Sequence, residues 1–185
     1  VQLALDLGVA VPTISAAVDA RILSSHQEDR MVLSRSPTGT SRPAPAEVDD
    51  AALTVLEGAL YAARICAYAQ GLLLIDAGSA EFGWDVPLTA PLRVWTGGCI
   101  IRARLLDVLI DSFATTPPQA NLLLHTAVQS AVEKNLPHLR RTVSSAALIG
   151  IPVPALAASL SWLEAWHSAR LPQNLTQAQR DAFGA

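Results

Sequence analysis

The sequence predicts an all-α fold, a multi-helix bundle with an internal duplication. Apolar residues recur at helical spacing along most of the 185 residues, and no stretch alternates like a half-buried strand. One short phrase (Gly, an apolar residue, a variable residue, Val, Pro) also recurs, at 8–12, 83–87 and 150–154.

Each copy of this phrase predicts a corner between two helices. Glycine just past a helix end adopts the left-handed conformation that closes the last turn. Proline fits the first turn of the next helix, and it pushes the preceding Val towards extended backbone. The copies are too far apart and too unevenly spaced for a solenoid repeat. They predict the corners of one duplicated domain, with chance recurrence of a common turn as the alternative.

The first third of the chain predicts two helices and a long loop. Residues 1–7 end a helix that Gly8 closes, and a second helix covers 12–33. The segment 34–46 contains three prolines and a glycine among Ser and Thr, so we expect a loop prone to disorder or proteolysis.

The next helix is predicted to be the spine of the domain. Asp49 and Asp50 offer an N-cap to a helix from Ala51 towards Asp76. This helix is apolar on nearly every face, interrupted by Glu57, Arg64 and Gln70. Such a helix is typical of the buried middle of a bundle.

The second half predicts further helices. Thr96 can cap a helix that reaches Phe113, and the run 115–118 breaks it. A helix over 119–135 follows, and Pro137 stands near the start of another that ends at Gly150. Two more helices are predicted over 156–166 and 177–183.

Composition excludes several classes of protein. Apolar residues form 51% of the chain, the net charge is −3 and the pI is about 5.7. A general nucleic-acid or anionic-membrane binder would be basic. No apolar stretch reaches membrane-spanning length without an acidic or arginine interruption, and the N-terminus lacks the basic lead of a signal peptide. It opens without Met inside a predicted helix, so we expect a cut end. High apolar content favours a self-association face.

The residues alone indicate little chemistry. The four histidines are scattered without metal-ligand spacing, so we expect surface or capping roles and no metal. Cys66 and Cys99 indicate buried thiols in a reducing compartment. Gly97 and Gly98 either present N–H groups to an anion at a helix start or let helices pack closely. We expect the tryptophans and tyrosines to fill the core, and the 140–141 arginine pair to bind Glu133 or nearby aspartates.

Several runs resemble the helical C-terminal domain of 6-phosphogluconate dehydrogenase, the decarboxylating enzyme of the pentose phosphate pathway. In chain order, the runs are Ala4-Leu5-Asp6-Leu7-Gly8, Ala17-Val18-Asp19-Ala20-Arg21, Leu23-Ser24-Ser25, Tyr68-Ala69-Gln70-Gly71, Glu81-Phe82-Gly83-Trp84, 95–102, 140–143, 150–154, 171–175, Gln177-Ala178-Gln179-Arg180-Asp181 and 183–185. Thr96 replaces an arginine of the family pattern, and Ala182 stands where the family usually has an aromatic residue.

The resemblance implies a divided enzyme. Residues 1–185 would form the helical substrate-binding and dimerisation domain, and the family's N-terminal NADP-binding domain would be absent from the chain. The family's catalytic Lys and Glu would lie upstream of Val1, so we expect this chain alone to be inactive. The family forms cytoplasmic homodimers, and each C-terminal tail reaches into the partner's active site.

The resemblance also implies two binding residues. Arg21 and Arg180 match the family arginines that hold the phosphate of 6-phosphogluconate, and Arg180 would act across the dimer. A salt bridge at a helix end is the structural alternative for each. The competing functions are a non-catalytic helical dimerisation or regulatory module and a related hydroxyacid dehydrogenase domain; retention of both arginines favours a phosphorylated substrate.

Overall fold

The computed structural model describes residues 1–36, 49–99, 101, 103–115 and 119–184, and every regular element in that part of the chain is helical. The helices are α1 Gln2–Asp6, α2 Pro12–Ser25, α3 Gln27–Ser34, α4 Asp50–Phe82, α5 Thr89–Thr96, α6 Arg104–Thr115, α7 Thr126–Leu148, α8 Pro154–Trp166 and α9 Asn174–Ala182, with a 3₁₀ turn at Leu122–Leu124. The all-α prediction is confirmed. The predicted loop at 34–46 lies outside the described residues from position 37 onwards.

Helix α4 is the spine, as predicted. Asp49 caps it, since its Oδ1 accepts the N–H of Ala52 at 2.7 Å. The helix continues past Asp76 to Phe82, and residues on several faces between 58 and 72 are buried against α7, α8 and the rest of the core. Its first three turns differ from the prediction, because three leucines there are exposed.

The apolar length of α4 also corrects one exclusion. By length and composition α4 could cross a membrane, and half of its apolar window is buried inside the protein. The core helix of a soluble protein passes the same test, so this feature is weak evidence for a membrane span.

The three glycine corners share one hydrogen-bonding pattern. Gly8, Gly83 and Gly150 have φ of 66°, 64° and 68°. In each corner the next residue donates its N–H to the carbonyl five residues back: Val9 to Ala4, Trp84 to Ser79 and Ile151 to Ala146, at 2.7, 3.0 and 2.8 Å. This is the Schellman closure of a helix, so the glycine prediction is confirmed at all three corners.

The prolines follow the prediction at two corners. Pro12 and Pro154 begin α2 and α8, and each is preceded by a Val with φ near −125° and ψ of 51° or 58°. At the second corner α5 begins two residues after Pro87. There Asp85 takes a positive φ of 53°, and the Ser79 hydroxyl accepts the N–H of Val86 at 2.8 Å. These contacts hold a wider turn.

Two further predicted helix boundaries differ in the structure more strongly than the end of α4. The helix predicted over 12–33 divides at His26, because the Ser24 and Ser25 hydroxyls bond the carbonyls three residues back and compete with the helical pattern. The helix predicted over 119–135 begins only at Thr126 and continues to Leu148, so Pro137 lies inside α7 and begins no helix. The missing N–H leaves one helical bond unmade, and packing along α4 supports α7 on both sides of it.

The region after α5 also corrects the prediction. Thr96 is the last residue of α5, and its hydroxyl bonds the carbonyl of Arg93 at 2.8 Å. Gly97 and Gly98 therefore follow a helix end and form no anion site at a helix start. A Cβ on Gly98 would meet nothing within 4 Å, so this glycine is required for its φ of 103° and not for close packing.

The core consists of two clusters that pack along α4. The main cluster joins α4 to α5, α6, the 3₁₀ turn, α7 and α8, and a smaller cluster packs three alanines of α4 against Leu139. Tyr68 and Trp162 are buried in the main cluster, whereas Trp84 and Trp166 are more than half exposed. The prediction that the large aromatic residues fill the core therefore holds only in part.

Candidate functional site

Arg21 lies in the second half of α2, just before its last turn, with an exposed side chain. Its backbone carbonyl accepts the Ser24 hydroxyl at 2.7 Å. Within the part of the chain that the structure describes, no carboxylate lies within 4.0 Å of its guanidinium. The salt-bridge alternative for Arg21 is therefore not made by the described residues.

Arg180 occupies the last turn of α9 and is also exposed. The adjacent carboxylate of Asp181 accepts a hydrogen bond from Gln177 at 2.9 Å, and no described carboxylate pairs with Arg180. No residue of α9 is buried, and Leu175 and Phe183 are 69% and 89% exposed. This helix thus carries apolar side chains that its own chain leaves uncovered.

The two arginines stand on different helices, and neither forms an ion pair with a described residue. The prediction that Arg21 of one copy and Arg180 of another bind the same phosphate is not tested by a single chain, and it stays a prediction. Arg140, in contrast, forms an ion pair: its Nε donates a hydrogen bond to Oε1 of Glu164 on α8 at 2.6 Å. This pair replaces the predicted partners, and the hydrogen bond lowers the pKa of the Glu164 carboxyl.

A buried polar junction was missed by the sequence analysis. Gln70, on α4, is fully buried; its Oε1 accepts the N–H of Thr13 at 3.0 Å and its Nε2 donates to Thr13 Oγ1 at 2.9 Å. Thr13 Oγ1 lies 2.9 Å from Oγ of buried Ser159 on α8. The junction therefore ties α2, α4 and α8 together. Its signal in the sequence was an uncharged amide inside an otherwise apolar helix.

The residues on either side of Gln70 face other neighbours. The Tyr68 hydroxyl donates to the carbonyl of Ile101, and burial raises the pKa of that hydroxyl. Gly71 faces Trp95, whose ring centroid lies 5.8 Å from that of Tyr68. A cavity of about 410 Å³ opens beside these rings, with Arg64 among its lining residues.

The thiols carry no evident chemistry. Cys66 is fully buried, as predicted, and burial raises its pKa to about 12. A thiol with that pKa is protonated and is a poor nucleophile. Cys99 is only half-buried. Among the described residues, no group of three or more His, Cys, Asp or Glu side chains could hold a metal ion.

The fold defines the class of protein as an all-α domain. Its first and third glycine corners lead into α2 and α8, and these two helices pack together beside the central helix α4. Comparison with known families shows which enzymes carry it. The family described as "6-phosphogluconate dehydrogenase, C-terminal domain" matches residues 1–185. The chain belongs to the 6-phosphogluconate dehydrogenase family and corresponds to its C-terminal domain.

Individual relatives agree with this assignment. The decarboxylating 6-phosphogluconate dehydrogenase of Synechocystis is 44% identical over 98% of this chain and 37% of its own length. The NADP(+)-dependent, decarboxylating enzyme of Bacillus subtilis is 37% identical over the whole chain and 39% of its own length. The chain thus spans less than two fifths of the length of these relatives.

A solved structure shows the same fold. Plasmodium falciparum 6-phosphogluconate dehydrogenase, solved in its apo form and in complexes with its cofactor NADP+ and its substrate 6-phosphogluconate, superposes with a TM-score of 0.86 and 35% identity. The match covers 97% of this chain and 39% of the Plasmodium chain.

Proposed function

We propose that this chain is the helical substrate-binding and dimerisation domain of a cytoplasmic, NADP-dependent 6-phosphogluconate dehydrogenase. The complete enzyme oxidises 6-phospho-D-gluconate and releases CO₂ to give ribulose 5-phosphate. The observation that carries the proposal is the family match over all 185 residues, together with relatives named for this reaction.

Phosphate binding is the part of the chemistry that these residues supply. A guanidinium presents a planar fork that suits phosphate oxygens. Arg21 and Arg180 are exposed and, within the described residues, unpaired, whereas Arg140 is engaged by Glu164. In the proposed site, Arg21 and the Arg180 of a second copy bind one phosphate. Two cations that approach each other repel unless an anion lies between them, so the dimer favours the bound substrate.

The proposed dimer interface uses apolar surface that one chain leaves open. Leu53, Leu56 and Leu60 form a stripe along the first turns of α4 and are 52%, 41% and 49% exposed. Leu175 on α9 and Phe183 at its C-terminal cap are still more exposed. Apolar surface of this kind is characteristic of stable dimer interfaces.

Cofactor binding falls to the rest of the enzyme. Dinucleotides are held by a glycine-rich turn between a strand and a helix, and the described residues contain no strand. They therefore do not fit NADP as its principal site. The other part of the enzyme would hold NADP as the hydride acceptor, while this chain binds and orients the phosphate end of the substrate.

Arg180→Ala in the full-length enzyme tests this proposal. Loss of a charge-assisted hydrogen bond of about 1.5–3 kcal/mol should raise the KM for 6-phosphogluconate roughly 10- to 100-fold and leave the KM for NADP nearly unchanged. Arg21→Ala should act similarly, and the double variant should lose less than the product of the two, because both groups bind one phosphate. Arg93→Ala, in the last turn of α5, is the matched control. An unchanged substrate KM in Arg180→Ala would refute the assignment.

A further inference from the structure

The amide of Gln70 has a single orientation that satisfies the junction. Its Oε1 accepts from the backbone N–H of Thr13, which leaves Nε2 to donate to the Thr13 hydroxyl. The Ser159 hydroxyl donates to the carbonyl of Ala155 at 2.7 Å, so it accepts from Thr13. The side-chain donors therefore follow one another from Gln70 on α4 through the Thr13 hydroxyl on α2 to the Ser159 hydroxyl on α8. Reversing the amide would place its NH₂ group against the N–H of Thr13, so that two donors would face each other. Such buried donors without an acceptor are costly.

This junction caps α2 from another helix. Thr13 is the second residue of α2, where backbone N–H groups have no partner within the helix. The N-cap residue Val11 provides no side-chain cap, and Gln70 provides one across the bundle. Thr13 is also the only residue of α2 that is buried. The helix is thus held mainly at its N-terminal end.

The opposite end of α2 carries Arg21. At 1.5 Å per residue, Arg21 lies about 12 Å along the axis from Thr13. A tilt of about 5° at the anchored end would displace Arg21 by about 1 Å, and a misplacement of that size in a binding site costs up to about 100-fold in rate. The junction is therefore placed to set the position of Arg21.

We propose that Gln70 is a positioning residue: through Thr13 and Ser159 it fixes the orientation of α2 and so holds Arg21 at the substrate phosphate. This inference rests on the proposed function. Neither the family match nor the identity of the relatives assigns a role to Gln70. It makes no contact with substrate and acts through α2.

The test uses steady-state kinetics of the full-length enzyme with Gln70→Met, which keeps the side-chain volume and removes both hydrogen bonds. The KM for 6-phosphogluconate should rise about tenfold or more, and the KM for NADP should change less than about twofold. Thr13→Val, which removes only the hydroxyl, should show the same effect to a smaller extent. Gln129→Met, at an exposed position of α7, is the matched control.

Two readouts separate positioning from a simple loss of fold. Partial unfolding reduces the number of active molecules and lowers kcat without raising the substrate KM. In an Arg21→Ala background, Gln70→Met should have little further effect on KM, because the group that it positions is gone. A fall in kcat alone, or the same KM factor with and without Arg21, would overturn the positioning role. An unchanged KM in Arg21→Ala itself would instead refute the proposed phosphate site, and the positioning role with it.

Discussion

Gly58→Ala should destabilise the protein, although Gly→Ala stabilises an ordinary helix. Gly58 lies on α4 where α7 crosses it, and an added Cβ would lie 2.8 Å from Cγ of His138 and 3.0 Å from its Cβ. It would also lie 3.0 Å from Oδ1 of Asn135. The Cβ of His138 is fixed to the backbone of α7, so rotation of a flexible side chain cannot relieve the overlap. The two helices must separate.

The magnitude follows from two opposing effects. Alanine gains about 0.8–1 kcal/mol over glycine in a helix interior, and overpacking a close contact costs about 1–3 kcal/mol. We therefore expect a net loss of about 1 kcal/mol in the free energy of unfolding. In a chain of this size such a loss lowers the melting temperature by about 2–4 °C.

Gly71→Ala is the control within the same helix. Its Cβ would meet only the ring of Trp95, at 3.7 Å, which is an ordinary contact. This variant should gain about 1 kcal/mol from helix propensity alone. Urea denaturation at one fixed protein concentration measures both changes, since the proposed dimer would make stability depend on concentration. If both variants gain equally, the close approach of α4 and α7 at Gly58 is wrong.

The remaining predictions concern assembly, activity and titration. The protein should sediment as a homodimer, and a stable monomer at micromolar concentration would contradict the proposed interface. The purified 185-residue chain should produce no NADPH from 6-phosphogluconate and NADP, because the acid/base groups and the cofactor domain are expected elsewhere. In native protein at pH 8, Cys66 should resist a thiol reagent that labels Cys99, since burial raises the pKa of Cys66 to about 12; fast labelling of both thiols would refute this. Arg140 lowers the pKa of Glu164, so the small stabilisation by this pair should be present above the ordinary carboxyl pKa and be lost as the pH falls through the lowered one. Glu164→Gln should abolish that pH dependence in a urea titration, and an unchanged dependence would count against the pair.

Local signals explain why much of the fold could be predicted from the sequence. The Asp49 cap joins residues three positions apart, and each Schellman closure joins residues five apart. The helix boundaries that were predicted wrongly are set by packing between helices or by side-chain hydrogen bonds. Pro137 stays helical because α7 packs along α4, and the division at His26 follows two serine hydroxyls that the apolar pattern does not report.

The candidate site was less accessible to physical reasoning from sequence. Gln70 and Thr13 are 57 positions apart, and Thr13 and Ser159 are 146 apart. No spacing rule connects residues so distant, and an amide in an apolar helix indicates only that some partner exists. Arg21 and Arg180 were selected by resemblance to family motifs, because isolated exposed arginines are common on protein surfaces.

The duplication and the junction together explain how α2 is placed. α2 and α8 leave corners of nearly identical geometry and pack against each other beside α4. Small alanine side chains are frequent in the first half of both helices, and such side chains only weakly determine how far one helix slides along the other. The hydrogen bonds from Gln70 to Thr13 and on to Ser159 form at one register alone, because donor and acceptor distances must fall near 3 Å. A polar junction within an apolar bundle therefore supplies the alignment that apolar packing leaves open, and the position of Arg21 follows from it.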